Sequence, residues 1–294
     1  METILITGGT GLVGQKLTDL LTKNGFKVNI LTRSPEKKNE FKWDINKKYI
    51  DDKAFKNATY IIHLAGAGIA DERWSDKRKK VIIDSRVEST NLLLNKVKEL
   101  NIPLKKFISA SATGFYGAIT VDKIFTEKDA SADDFLGTVC QKWEDAAHEF
   151  EQINIPVAIL RTGIVLSEKG GALEKMRTPI ISPLGSGKQY IPWIHINDLC
   201  EMYLFAIKEE SFIGAFNAVA HDSHTSKTFS KTLAKSVGRF FLPIGVPGFL
   251  MKLIFGEMAK ILLEGSRVSS EKALKTDFEF QFLNLKSALN NLFK

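Results

Sequence analysis

Cysteine is scarce in this 294-residue chain: Cys140 and Cys200 are the only two, far apart, with no Cys-x-x-Cys pair and no Cys/His cluster at zinc spacing. A disulfide framework is excluded, no metal is expected, and a reducing cytoplasm is the expected location. Long apolar runs are also missing. The one extended stretch, Phe240 to Leu263, is broken by Pro243, Pro247, Lys252, Glu257 and Lys260 and is not expected to enter a membrane. The first residues carry acidic Glu2 and no basic n-region or cleavage site, so no leader is expected. Nor does charge of one sign accumulate. Forty-one Lys and Arg against 34 Asp and Glu give +7, spread along the chain. The short Lys77, Arg78, Lys79, Lys80 cluster reads as a solvated helix face, and without a dense basic face nucleic acid is not an expected partner.

What is present is ordinary globular material. Hydrophobic residues at 44% and charged residues at 26% exclude a disordered, collagen-like or coiled-coil chain, and the length suffices to bury a core without staples. Short apolar runs at Thr3–Thr7, Lys27–Leu31, Tyr60–Leu64, Lys106–Ser109 and Val157–Leu160 predict strands. Helical patterns lie between them at Leu12–Asn24, which ends at Gly25, at Asp84–Glu99 and at Asp133–Ile153. The last places Phe135, Val139, Cys140, Trp143, Ala147 and Phe150 on one stripe. Alternating strands and helices imply an α/β, doubly wound parallel sheet over residues 1–166. From Ser167 the rhythm breaks at Gly170-Gly171, Pro179, Pro183 and Gly185-Ser186-Gly187. Residues 167–294 read as a smaller lobe, with a return of the chain to the sheet near 190–220.

The sharpest motif is Thr7-Gly8-Gly9-Thr10-Gly11-Leu12-Val13-Gly14, which follows a strand and opens a helix. Gly8 allows the tight turn, Gly11 lets a pyrophosphate approach the backbone and Gly14 permits close packing of helix on strand. The helix start offers unpaired N–H donors and a positive dipole end. About 20 residues further on, a dinucleotide fold that takes NAD places an Asp or Glu for the ribose hydroxyls. Here the second strand ends Leu31-Thr32-Arg33-Ser34. An arginine and a hydroxyl in place of the carboxylate favour a 2′-phosphate, hence NADP(H) over NAD(H).

With His63-Leu64-Ala65-Gly66-Ala67, Tyr116-Gly117 and Trp193-Ile194-His195-Ile196-Asn197-Asp198-Leu199, this motif resembles the extended short-chain dehydrogenases/reductases of the NAD-dependent epimerase/dehydratase family. Gly68-Ile69, Arg73-Trp74, Asp84-Ser85-Arg86-Val87-Glu88, Ser109-Ala110-Ser111-Ala112, Val139-Cys140-Gln141-Lys142-Trp143-Glu144 and Gly256-Glu257-Met258 are similar to one branch of it, the nucleoside-diphosphate-sugar epimerases also known as cell-division-inhibitor-like proteins. The resemblance runs nearly end to end. It implies a Rossmann lobe with a substrate lobe, and a cofactor site at Gly8, Thr10, Gly11, Leu12, Val13, Gly14, Arg33, Ser34, Ala65, Gly66 and Lys142. It also implies a small polar or nucleotide-linked substrate, and leaves a homodimer open.

For catalysis the resemblance implies a Tyr-x-x-x-Lys pair on a helix with a nearby Ser or Thr. Read for that pattern, the chain offers Thr138-Val139-Cys140-Gln141-Lys142, with the lysine and without the tyrosine. A threonine hydroxyl is far too weak an acid to replace a phenol. Ser111 or Thr113 is expected to orient the substrate oxygen, Ser111 being preferred, and Tyr116 at the cleft mouth is the local phenol available as a substitute acid. His195 and Asp198 are expected to tie the second lobe to the sheet, and Arg161 to hold that junction. Two functions remain in view: an NADP(H)-dependent oxidoreductase or epimerase-like enzyme, and a non-catalytic NADP(H) sensor that offers the Phe240–Leu263 region to a protein partner.

Overall fold

The computed structural model describes residues 1–293. Eight strands form the central sheet: β1 (Thr3–Thr7), β2 (Lys27–Thr32), β3 (Glu40–Asp44), β4 (Tyr49–Ile50), β5 (Ala58–His63), β6 (Lys106–Ala112), β7 (Val157–Thr162) and β8 (Gly214–Ala218). Their order is β8-β7-β6-β5-β1-β2-β3-β4, and every pair is parallel except β3 with β4. Strand order reverses between β2 and β5, on either side of β1. That opens a crevice above the carboxyl ends, where open α/β sheets take their ligands.

Both faces of the sheet are covered, which is why its strands read as continuous apolar runs rather than alternating ones. Ile4 and Ile6 of β1 face one layer, made by α1 (Leu12–Lys23) and α4 (Ile196–Lys208). Leu5, between them, faces the other, made by α2 (Asp76–Glu99) and α3 (Phe135–His148). Buried Lys106 at the start of β6 ties the first layer to the sheet: its ammonium donates to the carbonyls of Ala206, Glu209, Glu210 and Phe212 at the end of α4. A cation there meets the negative end of the helix dipole.

α2 begins eight residues before the expected Asp84, because Ser75 caps it by accepting from the Arg78 amide and Asp76 occupies the first turn. The basic cluster therefore lies in its first turns and is only partly solvated. Lys77 and Lys80 are exposed, but Arg78 donates to the Gly68 carbonyl and Lys79 pairs with Glu257.

Beyond Ser167 a separate core gathers Leu173, Trp193, Phe229, Leu233, Leu285 and Leu289, around α5 (Ser226–Ser236) and α7 (Leu285–Leu292). Between those segments the chain returns to the sheet through α4 and β8. α6 (Gly248–Phe255) differs from α1 to α5 and α7. None of its residues is buried, and Phe249 and Leu253 are 69% and 72% exposed. Among the described residues no helix is long and apolar enough to cross a membrane, and no cluster of His, Cys, Asp or Glu could hold a metal ion.

Candidate functional site

The glycine turn closes β1 onto α1 with almost no spare room. Gly8 has φ +70, and a Cβ there would lie 3.0 Å from the Ala65 nitrogen, so glycine is needed for conformation and for contact. A Cβ on Gly14 would lie 2.2 Å from the Gly8 oxygen. Gly11 differs: it is exposed, its φ is an ordinary −79, and a Cβ would meet only the Gly8 oxygen, at 3.3 Å. Its outer side faces open space, and α1 starts there with no side-chain cap, leaving its first amides for a ligand. These features fit a dinucleotide pyrophosphate.

A buried relay fixes the neighbouring loop. Thr7 Oγ1 accepts from the Leu64 and Ala65 amides, each at 3.2 Å, which leaves its proton for His63 Nδ1 at 2.7 Å. The other ring nitrogen then carries the hydrogen, donating to Ser89 Oγ at 3.0 Å, and Ser89 donates to the Ser85 carbonyl at 2.7 Å. Burial holds His63 neutral, lowering its pKa to about 3, and likewise lowers that of His195 to about 4. Both values lie below the 6.5 of a free imidazole, so the unfolded chain binds more protons than the native one as pH falls below 6.5. Stability from these two groups is complete above pH 6.5 and is lost on the way down to pH 4 and 3. Urea melts at pH 6.5 and 5, above the carboxylate range, are expected to show a lower midpoint at pH 5; equal midpoints would refute the neutral, buried state.

At the end of β2, Arg33 and Ser34 are both exposed, and the Arg33 guanidinium makes no ion pair or hydrogen bond among the described residues. The loop that carries Ala65 and Gly66 rests against Gly8.

The expected catalytic residues fall elsewhere than the sequence pattern suggests. Thr138 and Lys142 share a face of α3, but it is the outer one, where Lys142 is exposed. Positions 138 and 140 are about 200° apart around a helix. The face toward the end of β6 carries Cys140 and Glu144, again four residues apart. Ser111 Oγ donates to Glu144 Oε1 at 2.6 Å, and the Cys140 thiol, pushed up to about 12 mainly by burial, lies beside Ser111 and the Ala112 backbone. Thr138 and Lys142 are thus not brought to Ser111, and Cys140 and Glu144, which sequence reasoning left unassigned, are. The signal that could have found them was the apolar stripe, since Cys140 and Trp143 lie on it and Glu144 adjoins it.

Glu144 belongs to a buried network across three strand ends. Arg161, at 5% exposure, grips it with two prongs: Nε to Oε1 at 3.0 Å and Nη2 to Oε2 at 2.8 Å. Nη1 donates to the Tyr116 hydroxyl at 3.0 Å, and Tyr116 donates to Asn217 Oδ1 at 2.7 Å. Tyr116 therefore is not at the cleft mouth. It is 1% exposed, its hydroxyl is fully engaged, and burial pushes its pKa up to about 12, which removes it as a substitute acid. Ser111, also buried, is held by Glu144 rather than turned to a substrate, whereas half-buried Thr113 carries no such bond. Among the described residues the Arg161 guanidinium bonds to Glu144 and Tyr116, which precede it in the chain, and not to the segment that follows it. Asp198 clasps the C-terminal segment by accepting from the Gln281 and Phe282 amides, and His195 stacks on the Phe282 ring at 3.8 Å.

A doubly wound sheet with a glycine turn at its switch point defines a dinucleotide-binding protein of the Rossmann class. Residues 4–141 match the model of the NAD dependent epimerase/dehydratase family, and residues 246–292 match a domain of unknown function, DUF1731. An epimerase family protein of Staphylococcus aureus is 36% identical, with the whole of both chains aligned, and epimerase family protein YfhF of Bacillus subtilis is 34% identical over 98% of this chain and 97% of its own. Among solved structures, human epimerase family protein SDR39U1 with NADPH superposes with a TM-score of 0.87 at 29% identity, covering 99% of this chain and 98% of the human one. The chain belongs to the NAD-dependent epimerase/dehydratase family of extended short-chain dehydrogenases/reductases.

Proposed function

We propose that this protein binds NADP(H) in preference to NAD(H) and acts as an oxidoreductase or epimerase-like enzyme on a small polar or nucleotide-linked substrate, held between the sheet and the smaller lobe around α5 and α7. The observation that carries the cofactor choice is the end of β2, where exposed Arg33 and Ser34 stand in place of a carboxylate. The human relative crystallised with NADPH supports the same reading. Gly8, Thr10, Gly11 and the first amides of α1 would hold the pyrophosphate, Arg33 and Ser34 the 2′-phosphate, and Ala65 and Gly66 the opposite wall. When bound, the cofactor supplies or accepts a hydride.

NADPH is expected to bind at least tenfold more tightly than NADH, and Arg33→Ala to erase the difference, since a charge-assisted pair contributes roughly 1.5–3 kcal/mol. Fluorescence titration of both cofactors checks this, and equal affinities in the unmodified protein would refute it.

A second reading, a non-catalytic NADP(H) sensor, is favoured by one observation: Ser111, Glu144, Arg161 and Tyr116 are bonded to one another, and the buried Cys140 thiol beside them is uncharged. NADPH oxidation across a broad panel of aldehydes and ketones separates the two. Turnover supports the enzyme; tight binding without turnover supports the sensor, with exposed Phe249 and Leu253 of α6 as the surface offered to a protein partner.

A further inference from the structure

Arg86, in the middle of α2, is a largely buried cation without an anion. Its Nη1 donates to the carbonyls of Ala67 at 3.0 Å and Ile82 at 2.9 Å, its guanidinium carbon lies 4.9 Å from the centre of the Trp143 ring, and its buried Nε has no partner. Its ionisable neighbours are Cys140, Arg78 and His63, none of them a carboxylate. Arg161 is the contrast within the same molecule: also buried, it is met by both oxygens of Glu144. Withdrawing a guanidinium from water without a counter-charge is costly, and two carbonyl bonds recover only part of that cost. Packing alone does not call for it, since a Met or Leu would cover Trp143 as well.

The position of this charge indicates its use. Gly66 lets the side chain come close, because a Cβ at 66 would lie 3.1 Å from Arg86 Cζ. The loop containing Gly66 thus has the cofactor turn against it at Gly8 and Arg86 against it from α2. Beyond Arg86 stands the α3 face with Cys140, Trp143 and Glu144, next to Ser111. Glu144 is spent on Arg161 and Cys140 is uncharged, so Arg86 brings an unspent positive charge to this side of the cleft.

We infer that Arg86 is the oxyanion-binding group of the cleft, taking a phosphate or carboxylate oxygen of the molecule bound there. This rests on the reading of the cleft as a cofactor and substrate site. It makes the substrate an anion, unless the oxygen belongs to the dinucleotide's own pyrophosphate.

The test uses NADPH-saturated protein, so that the Arg33 site is filled, titrated with inorganic phosphate. The Arg86 Nε–H resonance is followed by NMR in the unmodified chain, and calorimetry gives affinities for it, Arg86→Gln and Arg86→Lys. Phosphate is expected to move the resonance, with binding at least tenfold weaker in Arg86→Gln, less so in Arg86→Lys, and NADPH affinity unchanged; that assigns the oxyanion to the substrate. A resonance moved by NADPH itself, with a tenfold loss of NADPH affinity in Arg86→Gln, assigns it to the pyrophosphate and equally supports the inference. If neither NADPH nor phosphate moves the resonance, the inference is overturned, and because that readout uses the unmodified chain it stands even if a variant fails to fold. Failure of the unmodified protein to bind NADPH would instead refute the cofactor reading, and phosphate titration of the cofactor-free chain would still decide Arg86.

Discussion

Glu144→Ala is expected to lower stability by about 3–5 kcal/mol, a large share of what holds a domain together. The variant leaves the Arg161 guanidinium buried at 5% exposure with no carboxylate, and strips Ser111 of its acceptor. The loss should come from the stranded charge rather than from the pair's own strength, since a buried ion pair replaced whole by apolar groups is often neutral. The double variant Glu144→Leu with Arg161→Met is therefore expected to recover much of it. Urea unfolding at pH 7 measures all three chains. A loss below about 1 kcal/mol for Glu144→Ala, the size of an exposed pair, would show that water reaches the network.

The glycine turn should separate folding from binding. At Gly14 even one methyl lands 2.2 Å from the Gly8 oxygen and 2.6 Å from Gly9 Cα, so Gly14→Val is expected to break the turn and the seating of α1, seen as loss of a cooperative melt. At Gly11 the backbone angles suit any residue and a Cβ would meet one atom, the Gly8 oxygen at 3.3 Å, which a small shift relieves, so Gly11→Val should still fold. Its side chain would stand where the pyrophosphate approaches, and NADPH affinity is expected to fall more than a hundredfold. A folded Gly11→Val chain with unchanged affinity would remove the cofactor from this turn.

The outline of the fold was open to a reader of the sequence. Apolar runs of strand length, the helical stripe ending at Gly25 and the glycine spacing are local patterns set by backbone sterics and side-chain period. The five expected strands match β1, β2, β5, β6 and β7 to within a few residues. The edge strands are less legible, β3 because it is mostly only half-buried and β4 because it has two residues, and pairing identifies them; β8 lies within the stretch near 190–220 where the return of the chain is expected.

The candidate site divides in the same way. That α3 is a helix with an apolar stripe follows from spacing, yet matching the Tyr-x-x-x-Lys pattern at Thr138 and Lys142 put weight on residue type rather than on that stripe. The turn of the helix that meets Ser111 is decided by packing on β6 and α2, and it selects Cys140 and Glu144 instead. Tyr116 looked accessible because a Tyr-Gly step marks a turn, and it is buried because Arg161 and Asn217, 45 and 101 residues later, close over its hydroxyl.

The sequence by itself determined the strand and helix periods, the glycines of the cofactor turn and the arginine after β2, since each is a property of neighbouring residues. Only the tertiary structure decided which charges are spent and which are free. Arg161 and Arg86 are both arginines on regular elements, and nothing near either in the chain tells them apart. One meets a carboxylate 17 residues away across the layer and the other meets none, because Coulomb pairing and desolvation depend on distance in space, which the fold alone supplies.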